Sequence, residues 1–292
     1  MKKKYVVWSI IAALGLLSAC GVKKEVKEVK KEELTFGFFA STDDPERALK
    51  DLKKFTKELS KETGLNIKPF IAMSYEDLSQ KMKNGKVDIA FNGALPLVDI
   101  QKKVKVEPIA KAITHGKGSY HSEFIVKKDS SVNNLTDLKE QKGAIWAYAD
   151  ETSTSGYLFP LGILKKNNIN EPKEYFTPVI AGGHDKAIVS VLTGNADFAT
   201  VAEGVRQSLQ KEYPDILEKT KVIGVTEEIP GQTIMLRSDL DKEVKKKIQD
   251  FMINKDKKRV ALNYNTFKME GFEKAKNEEY DGVRELVKYL DK

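Results

Sequence analysis

The chain has 292 residues, of which 40% are hydrophobic and 32% are charged, and a formal net charge of +7. This composition is typical of a soluble globular protein with one or two domains, and it excludes a mainly disordered or membrane-embedded chain. The one cysteine, Cys20, has no partner for a disulfide or a cysteine-rich metal site, and three scattered histidines argue against a histidine-dominated metal centre. The sequence therefore predicts neither a bound metal nor a cofactor.

The first twenty residues have the pattern of a signal peptide. Lysines at positions 2–4 precede an apolar run from Val6 to Leu17. This run is shorter than a membrane-spanning helix, which needs about 20 apolar residues. The run ends in Leu17-Ser-Ala-Cys20, which resembles the bacterial lipobox, whose cysteine receives a diacylglycerol. We therefore predict a signal peptide over residues 1–19 and an extracytoplasmic protein that Cys20 anchors by lipid to the bacterial cell membrane. An ordinary signal peptide with an incidental cysteine is the alternative.

The segment after Cys20 is charged in both signs and contains few apolar residues. Such a segment buries too little surface to offset the entropy of ordering, so residues 20–33 are predicted to be a flexible tether, with a short charged helix as the alternative. Loss of the three signal-peptide lysines lowers the net charge from +7 to +4. The remaining lysines, for example those in residues 241–256, alternate with acidic residues, which is typical of a solvent-exposed surface. We therefore predict no nucleic-acid partner.

Strands and helices alternate through the body of the chain. Leu34 to Phe39 has the length and apolar character of a strand, and the Ser-Thr-Asp-Asp-Pro stretch at 41–45 begins a helix that Gly64 ends. The alternation continues with a strand (Leu65–Ile71), a helix (Tyr75–Lys83), a strand (Val87–Phe91) and a turn at Asn92-Gly93. Such an order indicates parallel α/β layers.

A second unit of the same kind begins near Leu135. Its predicted elements are strands at 144–148, 176–180 and 196–201 and helices at 157–166 and 185–192; a helical, lysine-rich region follows the strand at 233–237 and runs to residue 292. Tyr120–Lys127 and Ile229–Arg237 flank this unit and would join it to the first through two connections. We predict an α/β fold of two lobes with a cleft between them, the first formed by residues 34–124 and 229–292, the inserted second by residues 125–228.

Four loops between a strand and a helix offer hydrogen-bond donors, and they begin at Ser41, Asn92, Ser153 and Gly182. Unpaired N–H groups and the helix dipole make such positions electropositive. Hydroxyls add further donors, and glycines allow a ligand to approach the backbone closely. If the loops converge at the carboxyl ends of their strands, they form an anion site. The alternative for each loop is that its polar residues only cap a helix.

In these loops the sequence resembles the phosphate/phosphite/phosphonate substrate-binding proteins of ABC importers, from about residue 34 to residue 251. The ordered motifs that carry the resemblance are Ser153-Thr-Ser-Gly-Tyr157 with Pro160 and Lys166-Asn-Asn-Ile169, Ala181-Gly-Gly-His184, Asp197-Phe-Ala-Thr200, and Ile229-Pro-Gly231 with Arg237. The resemblance implies the two-lobed type 2 periplasmic-binding-protein fold, with two α/β domains joined by a two-segment hinge, and a bacterial lipoprotein.

The resemblance also implies binding residues. The oxyanion site of the family falls on Ser153, Thr154, Ser155 and His184, and its aromatic cleft residues fall on Tyr75 and Tyr120; Ser41 and Gln232 complete the predicted set. Hydroxyls suit an anion because each hydrogen bond to a charged group contributes about 1.5–3 kcal/mol. The alternative for His184 is a solvated helix cap, and for the two tyrosines a place in the core or the hinge.

The sequence departs from the pattern of aminophosphonate-binding members, which hold an ammonium with two carboxylates. One carboxylate position reads Gln232 in the Pro230-Gly231-Gln232 turn, and the second falls near Glu203-Gly204, with Glu203 one residue out of register. An amide in place of a buried carboxylate would cost an ammonium a few kcal/mol. The sequence therefore favours a ligand without a strongly held amine: phosphate, phosphite, a simple alkylphosphonate or a phosphate ester.

We therefore predict a monomeric, lipid-anchored binding protein that captures a small phosphorus oxyanion and delivers it to an ABC transporter permease. Another anion on the same fold, such as a thiamine phosphate or a sulfonate, is one alternative, and a surface adhesin is another. A hydrolase could be composed from Ser155, His184 and Asp197, but no Gly-x-Ser-x-Gly motif surrounds any serine, and the prediction is that the protein is not an enzyme.

Overall fold

Two mixed β-sheets, each flanked by helices, form two lobes in the computed structural model, which describes residues 31–39, 45–254 and 269–290. The chain begins the first lobe with β1 (Leu34–Phe39), α1 (Pro45–Thr63), β2 (Ile67–Ala72), α2 (Tyr75–Lys83), β3 (Ile89–Asn92), α3 (Ala94–Lys103) and β4 (Val106–Ile113). It then crosses to the second lobe through the short strand β5 (Ser119–Tyr120).

The second lobe contains the strands β6 (Ser122–Lys127), β7 (Ile145–Tyr148), β8 (Thr177–Ile180), β9 (Phe198–Ala202) and β10 (Thr220–Val225). Its helices are α4 (Phe159–Lys166), α5 (Pro172–Tyr175), α6 (His184–Thr193), α7 (Val205–Ser208) and α8 (Ile216–Lys219), with 3₁₀ turns at Leu135–Glu140 and Leu209–Lys211. The chain returns through β11 (Ile229–Pro230) and ends with β12 (Thr233–Arg237), α9 (Lys242–Ile253), β13 (Gly271–Lys274), a 3₁₀ turn (Asn277–Tyr280) and α10 (Asp281–Val287).

Parallel strands at one end of each sheet align the loops that carry the predicted site. The first sheet has the order β13-β4-β12-β3-β1-β2, in which β1 pairs in parallel with β2 and β3, whereas the pairs of β12 with β3 and β4 and of β13 with β4 are antiparallel. The second has the order β10-β6-β9-β7-β8, in which β7, β8 and β9 are parallel. The carboxyl ends of these parallel strands carry the loops before α2, α3, α4 and α6, which is where open α/β sheets bind ligands.

Two antiparallel crossings join the lobes. Tyr120 in β5 pairs with Ile229 in β11, so the outgoing and returning chains lie side by side. The lobes also touch through α4, because Leu158 and Phe159 pack in one apolar cluster with Leu95 of the first lobe. The residue boundaries of the two lobes remain a prediction. The strand β6 pairs with β9 of the second sheet from its first residue, Ser122.

The sequence-predicted elements lie within about two residues of the observed ones in most cases, and α2 and β12 have the predicted bounds. The prediction of a helical C-terminal region is wrong at Gly271–Lys274, which forms the edge strand β13 against β4. The predicted tether also has one fixed point, since Lys31 Nζ lies 2.6 Å from the buried Asp88 carboxylate. In the described part of the chain, no helix combines the length and apolar character that crossing a bilayer requires.

Candidate functional site

The loop from Ser153 to Gly156 follows β7 and turns at once into a π-helical turn, Thr154–Leu158, that leads into α4. Ser153 caps this turn, since its Oγ accepts the Gly156 N–H at 2.9 Å. A Cβ on Gly156 would lie 2.8 Å from that oxygen, so only glycine permits the cap. The Gly156 N–H is therefore already bonded, and the N–H groups of Thr154 and Ser155, which lack acceptors within the helix, are the ones left for a ligand.

Two buried hydroxyls of the second lobe fix the orientation of this loop. Ser122 Oγ donates to the Ser155 carbonyl at 2.5 Å, and Thr200 Oγ1 donates to the Gly156 carbonyl at 2.6 Å. Thr200 in turn accepts the indole N–H of Trp146 at 2.8 Å. These bonds fix the Ser155 and Gly156 carbonyls to the second lobe and so hold the loop in one orientation.

Two predicted tyrosines lie on other elements: Tyr120 in the crossing strand β5 contacts this loop, and Tyr75 lies in the first lobe. The Tyr120 hydroxyl donates to Ser155 Oγ at 3.3 Å, and burial raises the pKa of Tyr120. Tyr75, the first residue of α2, packs against Phe39 with ring centroids 4.5 Å apart. Burial raises the pKa of Tyr75 well above its ordinary value, and Asp150 and Tyr120 raise it further. Both phenols therefore keep their protons near neutral pH and can act as donors.

Thr154 joins the two lobes directly. Its Oγ1 accepts the backbone N–H of Leu95, in the first turn of α3, at 2.9 Å, and the residue is 4% exposed. The hydroxyl therefore caps a helix of the opposite lobe, a contact that the sequence does not predict. As the acceptor in this bond, the hydroxyl keeps its own proton.

His184 begins α6 and is half-buried. Its Nδ1 accepts the backbone N–H of Ala202 at 3.2 Å, which requires an unprotonated Nδ1 and places the proton of the neutral ring on Nε2. Burial lowers the pKa of His184 to about 4, although Asp185 raises it somewhat. The side chain is therefore a neutral N–H donor at physiological pH, rather than a cation.

A cavity of about 380 Å³ brings several predicted residues together: Tyr120, Ser155, His184 and Gln232 line it, as does Glu203. Ser153, Thr154 and Tyr75 are not among its lining residues, although the first two adjoin Ser155 in the loop. The predicted site residue Ser41 and the predicted lipidation residue Cys20 lie outside the described residues.

Three residues that position the loop were not predicted as functional: Ser122, Thr200 and Leu95. Thr200 ends the Asp197-Phe-Ala-Thr200 motif, one of those that carry the family resemblance, which is the signal that could have found it. Asn92, at the end of β3, is a further candidate, because its Nδ2 is buried and lacks a partner among the described residues. Its Oδ1 accepts the Gly93 N–H at 2.9 Å.

The alternative Ser–His–Asp arrangement does not form. Asp197 precedes the amino end of β9 and accepts the Ile145 N–H at 2.7 Å, whereas His184 bonds to Ala202 at the carboxyl end of the same strand. A five-residue strand therefore separates the carboxylate from the imidazole. Within the described ranges, no group of three histidine, cysteine or acidic side chains is placed to hold a metal ion.

Comparison with known proteins places this architecture in one family. The family described as "ABC transporter, phosphonate, periplasmic substrate-binding protein" matches residues 37–280. The phosphonates-binding periplasmic protein of Escherichia coli is 31% identical over 252 residues, which cover 84% of this chain and 74% of the relative. The phosphate-import protein PhnD of Mycolicibacterium smegmatis is 26% identical over 226 residues, or 74% and 68% of the two chains.

Solved structures agree with these relatives. A binding-protein component of an ABC phosphonate transporter from Pseudomonas aeruginosa has a TM-score of 0.72 and 26% identity, with 88% of this chain and 86% of that chain covered. PhnD1 of Prochlorococcus marinus, in complex with methylphosphonate, has a TM-score of 0.76 at 23% identity, with 89% and 98% covered. The predicted two-lobed type 2 fold is confirmed, and the chain belongs to the phosphonate family of periplasmic substrate-binding proteins of ABC transporters.

Proposed function

We propose that this protein captures a small phosphorus oxyanion, either phosphate, phosphite or phosphonate, in the cavity between its lobes. The observation that carries the proposal is that Tyr120, Ser155 and a neutral His184, all of which can donate hydrogen bonds, line the same cavity. Ser153 and Thr154 adjoin Ser155 and complete the proposed donor loop, and Tyr75 is proposed as a further donor from the first lobe. The printed names of the relatives, which refer to phosphonate and phosphate, support the same ligand class.

Family membership makes the protein the substrate-binding component of an ABC importer, and it acts outside the cytoplasm. We further propose that the lipidated Cys20 holds it at the membrane, that it works as a monomer, and that it delivers the bound anion to a permease. The family is one of transport proteins, which supports transport without catalysis.

The ligand is proposed to lack a strongly held amine. Gln232 lines the cavity with an uncharged amide, and Glu203 lines it with a carboxylate whose side chain is exposed to water. An exposed ion pair contributes only about 0–1 kcal/mol, so Glu203 alone holds an ammonium weakly. If calorimetry showed 2-aminoethylphosphonate bound a hundredfold more tightly than methylphosphonate, this part of the proposal would be wrong.

The proposal is tested by titrating the mature protein with phosphate, phosphite and methylphosphonate, and with ethanesulfonate and thiamine phosphate as competing cargoes. Four or five hydrogen bonds to a charged ligand, after the costs of association, predict micromolar or tighter binding, about −8 kcal/mol. Replacement of Ser153, Thr154 and Ser155 by alanine should lower the affinity at least a hundredfold while circular dichroism stays unchanged.

Thr193→Ala, which removes an exposed hydroxyl at the end of α6, is the matched control and should bind normally. A flat thermal-shift and calorimetric response to every phosphorus oxyanion would refute the proposed ligand class. Tighter binding of the sulfonate or of thiamine phosphate would instead assign the same cavity to that cargo.

A further inference from the structure

The cavity extends well beyond the three side chains that are proposed to hold the oxyanion. From His184 it passes Ala202, whose N–H holds the imidazole, and continues along Glu203 and Gly204 to His115. Its volume of about 380 Å³ compares with about 30 Å³ for one water in the liquid. A phosphate, with five non-hydrogen atoms, therefore leaves most of this space to another part of a ligand.

Three residues form what we call the distal wall: His115, Glu203 and Gln232. Glu203 is fixed by both its backbone and its side chain, since its N–H donates to the His121 carbonyl at 2.9 Å and its Oε2 accepts the His121 N–H at 3.1 Å. The ring of His115 lies against Gly204, where an added Cβ would come within 2.6 Å of Cε1. These contacts hold Glu203 and His115 of the distal wall in place.

Gln232 is presented to the cavity by a tightly packed turn. The Gly231 N–H donates to the Gly118 carbonyl at 2.9 Å, and the Ala112 N–H donates to the Gln232 carbonyl at 2.8 Å. A Cβ on Gly231 would lie 2.4 Å from the Ala112 carbonyl oxygen, so glycine is required for this approach. The backbone of Gln232 is therefore fixed on both sides, and its exposed side-chain amide can offer a donor and an acceptor to the cavity.

The charge of the cavity lining restricts the substituent that can enter. Within the described chain, none of the residues lining this cavity is lysine or arginine, and Glu203 is its one carboxylate. A second anionic group on the ligand would be repelled by Glu203 without compensation. A cationic group would gain at most about 1 kcal/mol from the water-exposed Glu203 carboxylate, whereas its desolvation costs far more than that of a hydroxyl. The amide of Gln232 and the carboxylate of Glu203 are instead suited to an uncharged donor.

We infer that the ligand is a phosphonate or phosphate monoester whose organic substituent carries an uncharged hydrogen-bonding group, such as a hydroxyl, that reaches Gln232 and Glu203. This inference rests on the proposed function, since the oxyanion end must occupy the donors at Ser155 and His184. It excludes bare phosphate as the best ligand, because phosphate leaves the distal wall unused.

The test is calorimetry on the mature protein with methyl-, ethyl-, 2-hydroxyethyl-, 3-hydroxypropyl- and carboxymethylphosphonate. Two hydrogen bonds from a hydroxyl predict about tenfold tighter binding of one of the hydroxyalkyl compounds than of ethylphosphonate. Gln232→Leu should remove that gain and bring the affinity of the hydroxyalkyl compound down to that of ethylphosphonate. Gln207→Leu, the same change at an exposed position of α7 that does not line the cavity, should keep the gain.

Glu203→Gln provides the second arm, since removal of the negative charge should improve carboxymethylphosphonate binding selectively. The inference is overturned if neither hydroxyl compound exceeds ethylphosphonate, or if the gain persists in Gln232→Leu. In both of these cases methylphosphonate still binds and the proposed function stands. If no phosphorus compound binds at all, the proposed function and the inference fail together.

Discussion

Acidification is expected to destabilise the folded protein through His184. In the unfolded chain its imidazole has the ordinary pKa of 6.5, whereas burial lowers the pKa to about 4 in the folded protein. Between these values the unfolded state binds more protons, so the free energy of unfolding falls as the pH falls from 6.5 towards 4. Linkage gives a loss of about 2 kcal/mol between pH 7 and pH 5, and about 3 kcal/mol once the pH is below 4.

The structural cause of this effect can be isolated by substitution. His184→Asn removes the titrating ring but keeps an oxygen that can accept the Ala202 N–H in place of Nδ1. Urea denaturation at pH 7 and pH 5 should show that the wild type loses about 2 kcal/mol more stability than this variant. Other acid-sensitive groups contribute equally to both proteins and cancel in the difference.

Thr193→Ala, which leaves every titratable group in place, is the control. Its stability should depend on pH as in the wild type. Equal losses for wild type and His184→Asn would refute the reasoning, since they would show that the folded protein does not hold His184 neutral. The proposed N–H donor to the oxyanion would then have to be an imidazolium.

Three other substitutions test contacts that hold the site. Thr154→Val removes the acceptor for the Leu95 N–H, and loss of this hydrogen bond weakens the contact between the lobes by about 1 kcal/mol. Calorimetry should then show at least fivefold weaker ligand binding. Lys31→Met leaves the buried Asp88 carboxylate without the Lys31 ammonium. Because Lys31 is partly exposed, we expect urea denaturation to show a loss of about 2 kcal/mol, which is less than the about 3–5 kcal/mol for breaking a fully buried ion pair. Thr200→Val leaves an indole N–H and a loop carbonyl unpaired, which should lower stability by about 2–4 kcal/mol and change the tryptophan emission spectrum.

Each of these changes has a control that the chain itself provides. Thr154→Ser restores the hydroxyl and should recover most of the lost affinity; failure to do so would assign the effect to packing instead. Lys68→Met breaks an exposed ion pair with Glu33 at 2.5 Å and should change stability by less than about 0.5 kcal/mol. Thr200→Ser keeps the hydroxyl, and a spectrum like that of the valine variant would contradict the proposed hydrogen-bond relay.

Local signals in the sequence were sufficient for most of the central elements. The helix α2 begins as predicted because Ser74 accepts the Asp77 N–H at 3.0 Å, which is a cap that sequence spacing reveals. The strand β13 could not be predicted in this way. Its four residues include one buried side chain, Phe272, and the strand is defined by pairing with β4, more than 150 residues earlier in the chain.

The same distinction applies to the site. The hydroxyls of the Ser153 loop and the position of His184 at a helix start follow from residue types and turn signals, and the family resemblance gives them a common role. The bond from Leu95 to Thr154 depends on how the lobes meet, and the bond from Ala202 to His184 depends on a strand end beside a helix start. Neither contact leaves a trace in local sequence, because each joins segments that only the tertiary structure brings together.

The basic composition of the chain is a poor guide to how it would hold an anion. In the described part of the cavity lining the donors are hydroxyls, backbone N–H groups and an imidazole that burial keeps neutral, with no lysine or arginine among them. Fixed dipoles of this kind are already oriented before the ligand arrives, so little reorganisation is needed to stabilise its charge. They also recognise the tetrahedral arrangement of oxygens by hydrogen-bond geometry, which a single mobile ammonium does not. One loop carries both Thr154, which bonds to the first lobe, and Ser155, which lines the cavity. Ligand binding and the contact between the lobes would therefore depend on the same segment of the chain.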